Sequence, residues 1–123
     1  RPPKVIAVLG ASGGPRIITA VAQVLLNLFV LNMSPLDAID APRIHHQLLP
    51  NVLWAENQNA IGDGTARRVD QAVVDALREK GHVVEFSATE TAAAQLIAVD
   101  STTGTKHAVS DARKGGKPAA QRK

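Results

Sequence analysis

Seven residues of this 123-residue chain, Gly10-Ala11-Ser12-Gly13-Gly14-Pro15-Arg16, have the types and spacing for chemistry. The apolar run Val5–Leu9 leads into them, and a longer one, Ile17–Leu31, leads out. That order reads as a strand, a tight glycine turn and a helix. Glycine tolerates positive φ and lets a ligand come close to the backbone. Pro15 suits the first helical position, where the missing N–H has no partner to lose. The N–H groups of Gly13 and Gly14 would then point outward at a helix start, which favours negative charge. Such a turn suits an anion, or charge that develops during a reaction. A tight turn with no ligand satisfies the same spacing.

Two phosphate motifs fail at this turn. A Walker-type loop needs Lys followed by Ser or Thr after its last glycine, and Pro15-Arg16 stands there instead. A dinucleotide fingerprint needs G-x-G-x-x-G, which Gly10, Gly13 and Gly14 do not supply. Gly10-x-Ser12-x-Gly14 does match a nucleophile elbow in letters. Ser12 would then need a histidine from His45, His46, His82 and His107, and an acid from Asp63, Asp70, Asp75, Asp100 and Asp111. His45-His46 reads as structural rather than metal-binding, because neighbours on an extended segment point to opposite faces.

The elements that must position this turn follow in order. Lys4–Leu9 is expected as a buried strand, and Arg16 to about Asn32 as a helix that is apolar nearly all round. Thr19, Gln23 and Asn27 recur every four residues and form its one polar stripe. So apolar a helix in so small a chain predicts a further layer or partner, or self-association. Ser34-Pro35-Leu36-Asp37 is a helix start with a capping-box-like spacing, and Pro42 ends that helix at Ala41. Arg43–Pro50 reads as extended or irregular, with Arg43 paired to a carboxylate such as Asp40 or to a missing subunit. Val52–Glu56 reads as a strand with Trp54 half-buried, and Asn57–Gly64 as a loop. Val69, Ala72, Val73, Ala76 and Leu77 have helical spacing, which predicts a helix from Ala66 to Lys80 closed by Gly81. His82–Ser87 is expected as a strand. Ala93–Val99 and Lys106–Val109 are expected as a hairpin. The whole is an α+β layered domain over residues 1–123, with a polar tail at 111–123.

Composition narrows the function. The only aromatics are Phe29, Trp54 and Phe86, so base-stacking nucleic-acid modules are disfavoured. The net charge of +3 owes much to Arg113, Lys114, Lys117, Arg122 and Lys123, read as a solvated terminus rather than a nucleic-acid arm. An Asp111–Arg113 ion pair there, if solvated, would contribute under about 1 kcal/mol. The absence of cysteine excludes disulfides, thiol catalysis and Cys-type zinc sites. The apolar run after the turn is shorter than the roughly 20 residues a membrane span needs. Arg1-Pro2-Pro3-Lys4 starts abruptly ahead of a strand, as a cut piece of a longer protein would.

Gly10-Ala11-Ser12-Gly13-Gly14 with Arg16-Ile17-Ile18-Thr19 resembles the glycine motif of the γ-glutamyltransferase (γ-glutamyltranspeptidase) family. Asp40-Ala41-Pro42-Arg43-Ile44-His45-His46-Gln47-Leu48-Leu49-Pro50 resembles its APR-hydrophobic-HHQ-x-LP segment. Ala94-Gln95 with its hairpin and Ser110-Asp111-Ala112-Arg113-Lys114-Gly115-Gly116-Lys117-Pro118-Ala119 resemble its C-terminal end. The resemblance implies the C-terminal part of a small subunit and a share of the αββα sandwich of N-terminal-nucleophile hydrolases. It implies an N-terminal Thr nucleophile that takes the γ-glutamyl group from glutathione-like amides and passes it to water or an amino acid. Gly13 and Gly14 would be the oxyanion hole. No metal or organic cofactor is implied, and the setting would be periplasmic or extracellular. The family's Thr-Thr-His-like segment is not found in this sequence, nor is the paired Ser that holds the substrate carboxylate. The expected partners are therefore the remainder of the small subunit and the large subunit, and the chain alone is expected to be inactive. A cephalosporin-acylase-like amidase, or a non-catalytic binding or assembly module, would share the scaffold.

Overall fold

The computed structural model describes residues 4–59, 64–87 and 92–120. Strand β1, Ala7–Ser12, buries alternate residues, so Ala7, Leu9 and Ala11 face inward while Val8, Gly10 and Ser12 face out. The strand therefore runs three residues past Leu9, and the turn proper is Gly13-Gly14-Pro15. Helix α1, Arg16–Phe29, follows with Pro15 as its N-cap. It stops before Asn32, which takes a left-handed φ of 53°. Helix α2, Pro35–Asp40, starts as expected: the Ser34 hydroxyl accepts from the Asp37 N–H at 3.2 Å and Ala41 is the C-cap.

After Pro42 the chain makes a two-residue strand β2, Ile44–His45, and then β3, Leu53–Asn59. Strand β3 continues through residues expected as a loop. It pairs antiparallel with β4, Ala66–Arg68. The predicted helix over Ala66–Lys80 is accordingly shorter: α3 spans Gln71–Glu79, and the Asp70 side chain caps it by accepting from Ala72 N–H. The residues before Asp70 pair as strand instead; Val69 N–H donates to the Glu56 carbonyl. Strand β5, Val84–Ser87, runs parallel to β3. Strands β6, Ala93–Val99, and β7, Lys106–Ser110, form the expected hairpin. A short 3-10 turn, Ala112–Lys114, closes the described fold.

The strands make two sheets. One has the order β1-β6-β7 and is antiparallel throughout, with Gly10 opposite Gln95 and Ser12 opposite Ala93. The other is built on β3, with β2, β4 and β5 as its neighbours. Val24, Ala38, Ile39, Ala94, Leu96 and Ala98 form a core between α1, α2 and the first sheet. Leu53, Ala55, Val69, Val74 and Val84 form a second core under α3. The first sheet carries helices on one face only. On the other, Val8 (61 % exposed) and Ile97 (43 %) face out. The outer side of α1 is likewise apolar and open, with Ile18, Leu26 and Phe29 exposed. This is the α+β layered class, with apolar surface left for a further layer. Among the described residues no helix is long and apolar enough to cross a membrane.

Candidate oxyanion turn and its support

Three side chains of α1 tie the helix to the segment beside it. Gln23 grips Ile44 from both sides: its Nε2 donates to the Ile44 carbonyl at 2.7 Å and its Oε1 accepts from the Ile44 N–H at 2.9 Å. Thr19 Oγ1 lies 2.8 Å from His45 Nδ1, and Asn27 Nδ2 donates to the Ala38 carbonyl at 3.3 Å. The polar stripe of α1 thus pins β2 and α2 to the helix that leaves the turn.

The turn itself is open. Gly13 and Gly14 are exposed, with φ of 148° and 60°. Their carbonyls accept from the N–H groups of Arg16 and Ile17 at 3.3 and 3.1 Å, which starts the helix. Neither glycine N–H donates to the backbone of another described residue. Two donors at a helix start are therefore uncommitted. A side chain at Gly13 has no room: a Cβ there would come within 2.7 Å of Ala92 Cα. A Cβ at Gly14 would meet nothing within 4 Å. Both positions need glycine for φ, and Gly13 needs it for space as well.

Among the described residues no histidine or carboxylate is hydrogen-bonded to Ser12. Its Oγ lies 3.4 Å from Lys114 Nζ. His45 is buried between Thr19 and Gln47, which is the structural role expected of it. His46 lies 3.2 Å from Asn51 Oδ1 and stacks edge-on with His82 at 6.3 Å, and His107 is on β7. Asp63 falls outside the described residues. Among the described residues no group of three or more His, Asp or Glu is placed to hold a metal ion.

Behind the turn lies a buried ion network, and here two expectations are corrected. Arg43 pairs with Asp111 at 2.8 Å rather than with Asp40, which pairs with Arg67. The Asp111–Arg113 contact does form, at 3.1 Å, but Asp111 and Arg113 are buried rather than solvated. Arg113 donates to both oxygens of Glu56, at 2.6 and 2.8 Å, and to the carbonyls of Ile39 and Ala41 at 2.9 Å each. Glu56 also accepts from the Arg43 N–H at 2.9 Å. Burial alone would raise the Glu56 carboxyl, yet the hydrogen bonds and charge of Arg113 outweigh it and hold it below the usual range. The same contest, decided by Arg43 and Arg113, holds Asp111 down. Burial and then Arg113 pull Arg43 below the ordinary guanidinium range, against the opposing pull of Asp111. Burial acts downward on Arg113 too, but Glu56 and Asp111 carry it above that range.

Three grooves, of about 680, 380 and 350 Å³, lie along β7, between α1 and the far end of the first sheet, and on the open sheet face, and neither Gly13 nor Gly14 lines any of them. A void of only about 10 Å³ lies near the turn, between Thr19, Arg43, His45 and Ala92. That is about the space of one water and no substrate.

A helix-backed antiparallel sheet that opens into a glycine turn, beside a second sheet built on β3, defines an α+β layered scaffold with one apolar face left open. The family model for gamma-glutamyltranspeptidase matches residues 2–121, and the chain belongs to that family. It is 43% identical over 121 residues to glutathione hydrolase 2 and 38% identical over 136 residues to glutathione hydrolase 3, both of Arabidopsis thaliana. Each match covers 94% of this chain, which spans only about a fifth of either relative. The solved γ-glutamyltranspeptidase of Helicobacter pylori superposes with a TM-score of 0.77 at 33% identity, covering 93% of this chain and 57% of that one.

Proposed function

We propose that Gly13 and Gly14 are the oxyanion hole of an enzyme that cleaves γ-glutamyl amides such as glutathione. One observation carries this: two adjacent exposed glycines at the start of α1 whose N–H groups have no backbone partner among the described residues. The nucleophile, a Thr hydroxyl, lies on another part of the assembled protein. Its oxygen adds to the γ-glutamyl carbonyl and gives up its proton to a base. The carbonyl oxygen becomes an anion, and the two N–H groups stabilise it where it forms. The C–N bond then breaks and the leaving amine takes the proton. A water or amino-acid amine attacks the resulting ester through the same anion and restores the Thr hydroxyl. The family membership and the glutathione hydrolase names of the relatives support this substrate class.

The test is Gly13→Ala in the catalytically complete protein that carries this chain. The new Cβ has to displace either the turn or Ala92. We expect kcat to fall about 10²–10³-fold with KM within a few-fold, the signature of a lost oxyanion donor. A kcat within threefold of the parent refutes the proposal. The chain by itself releases no product from a chromogenic γ-glutamyl anilide; turnover above a buffer blank would return Ser12 to consideration as a nucleophile.

A further inference from the structure

We infer that Arg43 and Asp111 are positioning residues for the oxyanion turn and act on it through Ala92. The inference rests on the reading of Gly13 and Gly14 given above. Ala92 is fully buried, and its N, Cα and Cβ abut Gly13 so closely that no side chain fits between them. The backbone of Ala92 is therefore the wall against which Gly13 takes its φ of 148°. What fixes that wall is charge. Arg43 Nη1 donates to the Ala92 carbonyl at 2.5 Å and to Asp111 Oδ2 at 2.8 Å. The same Asp111 oxygen accepts from the Ala94 N–H at 2.8 Å. One buried Arg–Asp pair thus holds a carbonyl and an N–H two residues apart on the strand entry behind the turn. Charge-assisted bonds of this kind are short, strong and directional. An ion pair that served only to join β2 to the tail would not need the carbonyl of Ala92.

A lysine cannot reproduce this. Arg43 also donates through Nη2 to the Ile39 carbonyl at 2.6 Å, so its planar fork spans Ile39 on one side and Asp111 and Ala92 on the other. An ammonium is a single point with no such fork. Loosening Ala92 lets Gly13 and Gly14 swing, and oxyanion donors act only when they are already in place.

The experiment uses the catalytically complete protein with Arg43→Lys and, separately, Ala92→Gly. The second variant keeps every charge paired and removes only the Cβ beside Gly13, so it decides the matter if the first does not fold. For both we expect kcat to fall at least tenfold with KM within twofold. Affinity for a boronic acid analogue of the γ-glutamyl group, a tetrahedral mimic, should weaken by the same factor as kcat. A purely structural role would lower the unfolding midpoint and leave the boronate-to-substrate affinity ratio unchanged. Unchanged kcat and boronate affinity in folded Ala92→Gly overturns the inference. If Gly13→Ala collapses kcat while Ala92→Gly and Arg43→Lys do not, the oxyanion reading stands and the positioning role falls. If Gly13→Ala is itself without effect, the oxyanion reading falls first.

Discussion

The glycine turn and the ion network behind it use polar groups in opposite ways. Gly13 and Gly14 are exposed, and their N–H groups have no backbone partner among the described residues. In the network Asp111 accepts four hydrogen bonds, two on each oxygen, from Arg43, Ala94 and Arg113. Glu56 is likewise shared between Arg113, Gln58 and the Arg43 backbone. The charged groups hold the fold, and the two neutral backbone donors are left without a backbone partner among the described residues. A turn built from glycine alone has no side chain to brace it, so its shape must be imposed from behind. On the oxyanion reading proposed above, catalytic potential lies where hydrogen bonding is unfinished, not where charge is densest.

The contrast can be broken at the network first. Arg113→Ala leaves Glu56 buried without its guanidinium, and the expected loss is about 3–5 kcal/mol, read as a lowered denaturant midpoint. A loss under about 1 kcal/mol would mean the network is not the brace described. Acid should act on the same groups. Glu56 and Asp111 have folded values below their unfolded ones of about 4. Between those values the unfolded chain binds more protons than the folded one. The stability they contribute is present above about pH 4 and drains away as pH falls through the lowered folded values. A stability profile flat from pH 5 to pH 2 would contradict this. Gln23→Leu should cost about 2 kcal/mol, because the Ile44 N–H and carbonyl both lose their partner. Gly14→Ala should cost least, about 1 kcal/mol, since there is space for the methyl group and only the φ of 60° resists it. That small stability loss beside a large loss of turnover would sharpen the comparison most.

The glycine turn, α1, α2 and the β6–β7 hairpin were legible because their signals are local. Ser34 and Pro35 announce a helix start, and apolar alternation announces a strand. The β4 strand was not legible. Val69 fits the helical spacing of Ala72, Val73 and Ala76, but Arg67 is drawn into pairing with Asp40 and Asp70 is the actual cap. Propensity yields there to partners distant in sequence. Burial of the tail was hidden for a related reason. Asp111 and Arg113 look like surface residues by hydropathy, and only their partners Arg43 and Glu56 make burial affordable. The glycine turn was singled out from its spacing. Its support was not, because Ala92 has no side-chain chemistry to notice.

The Arg43–Asp111 contact joins residues 68 apart in sequence. Contacts of such separation form late, after local helices and hairpins, because the intervening chain must first be gathered. Helix α1 is local and can form early, whereas β1 waits for β6, with Ser12 opposite Ala93. The wall behind Gly13 is completed only when the residues around position 111 arrive. The shape of the turn is therefore completed by the far end of the fold, and its glycines alone do not fix it.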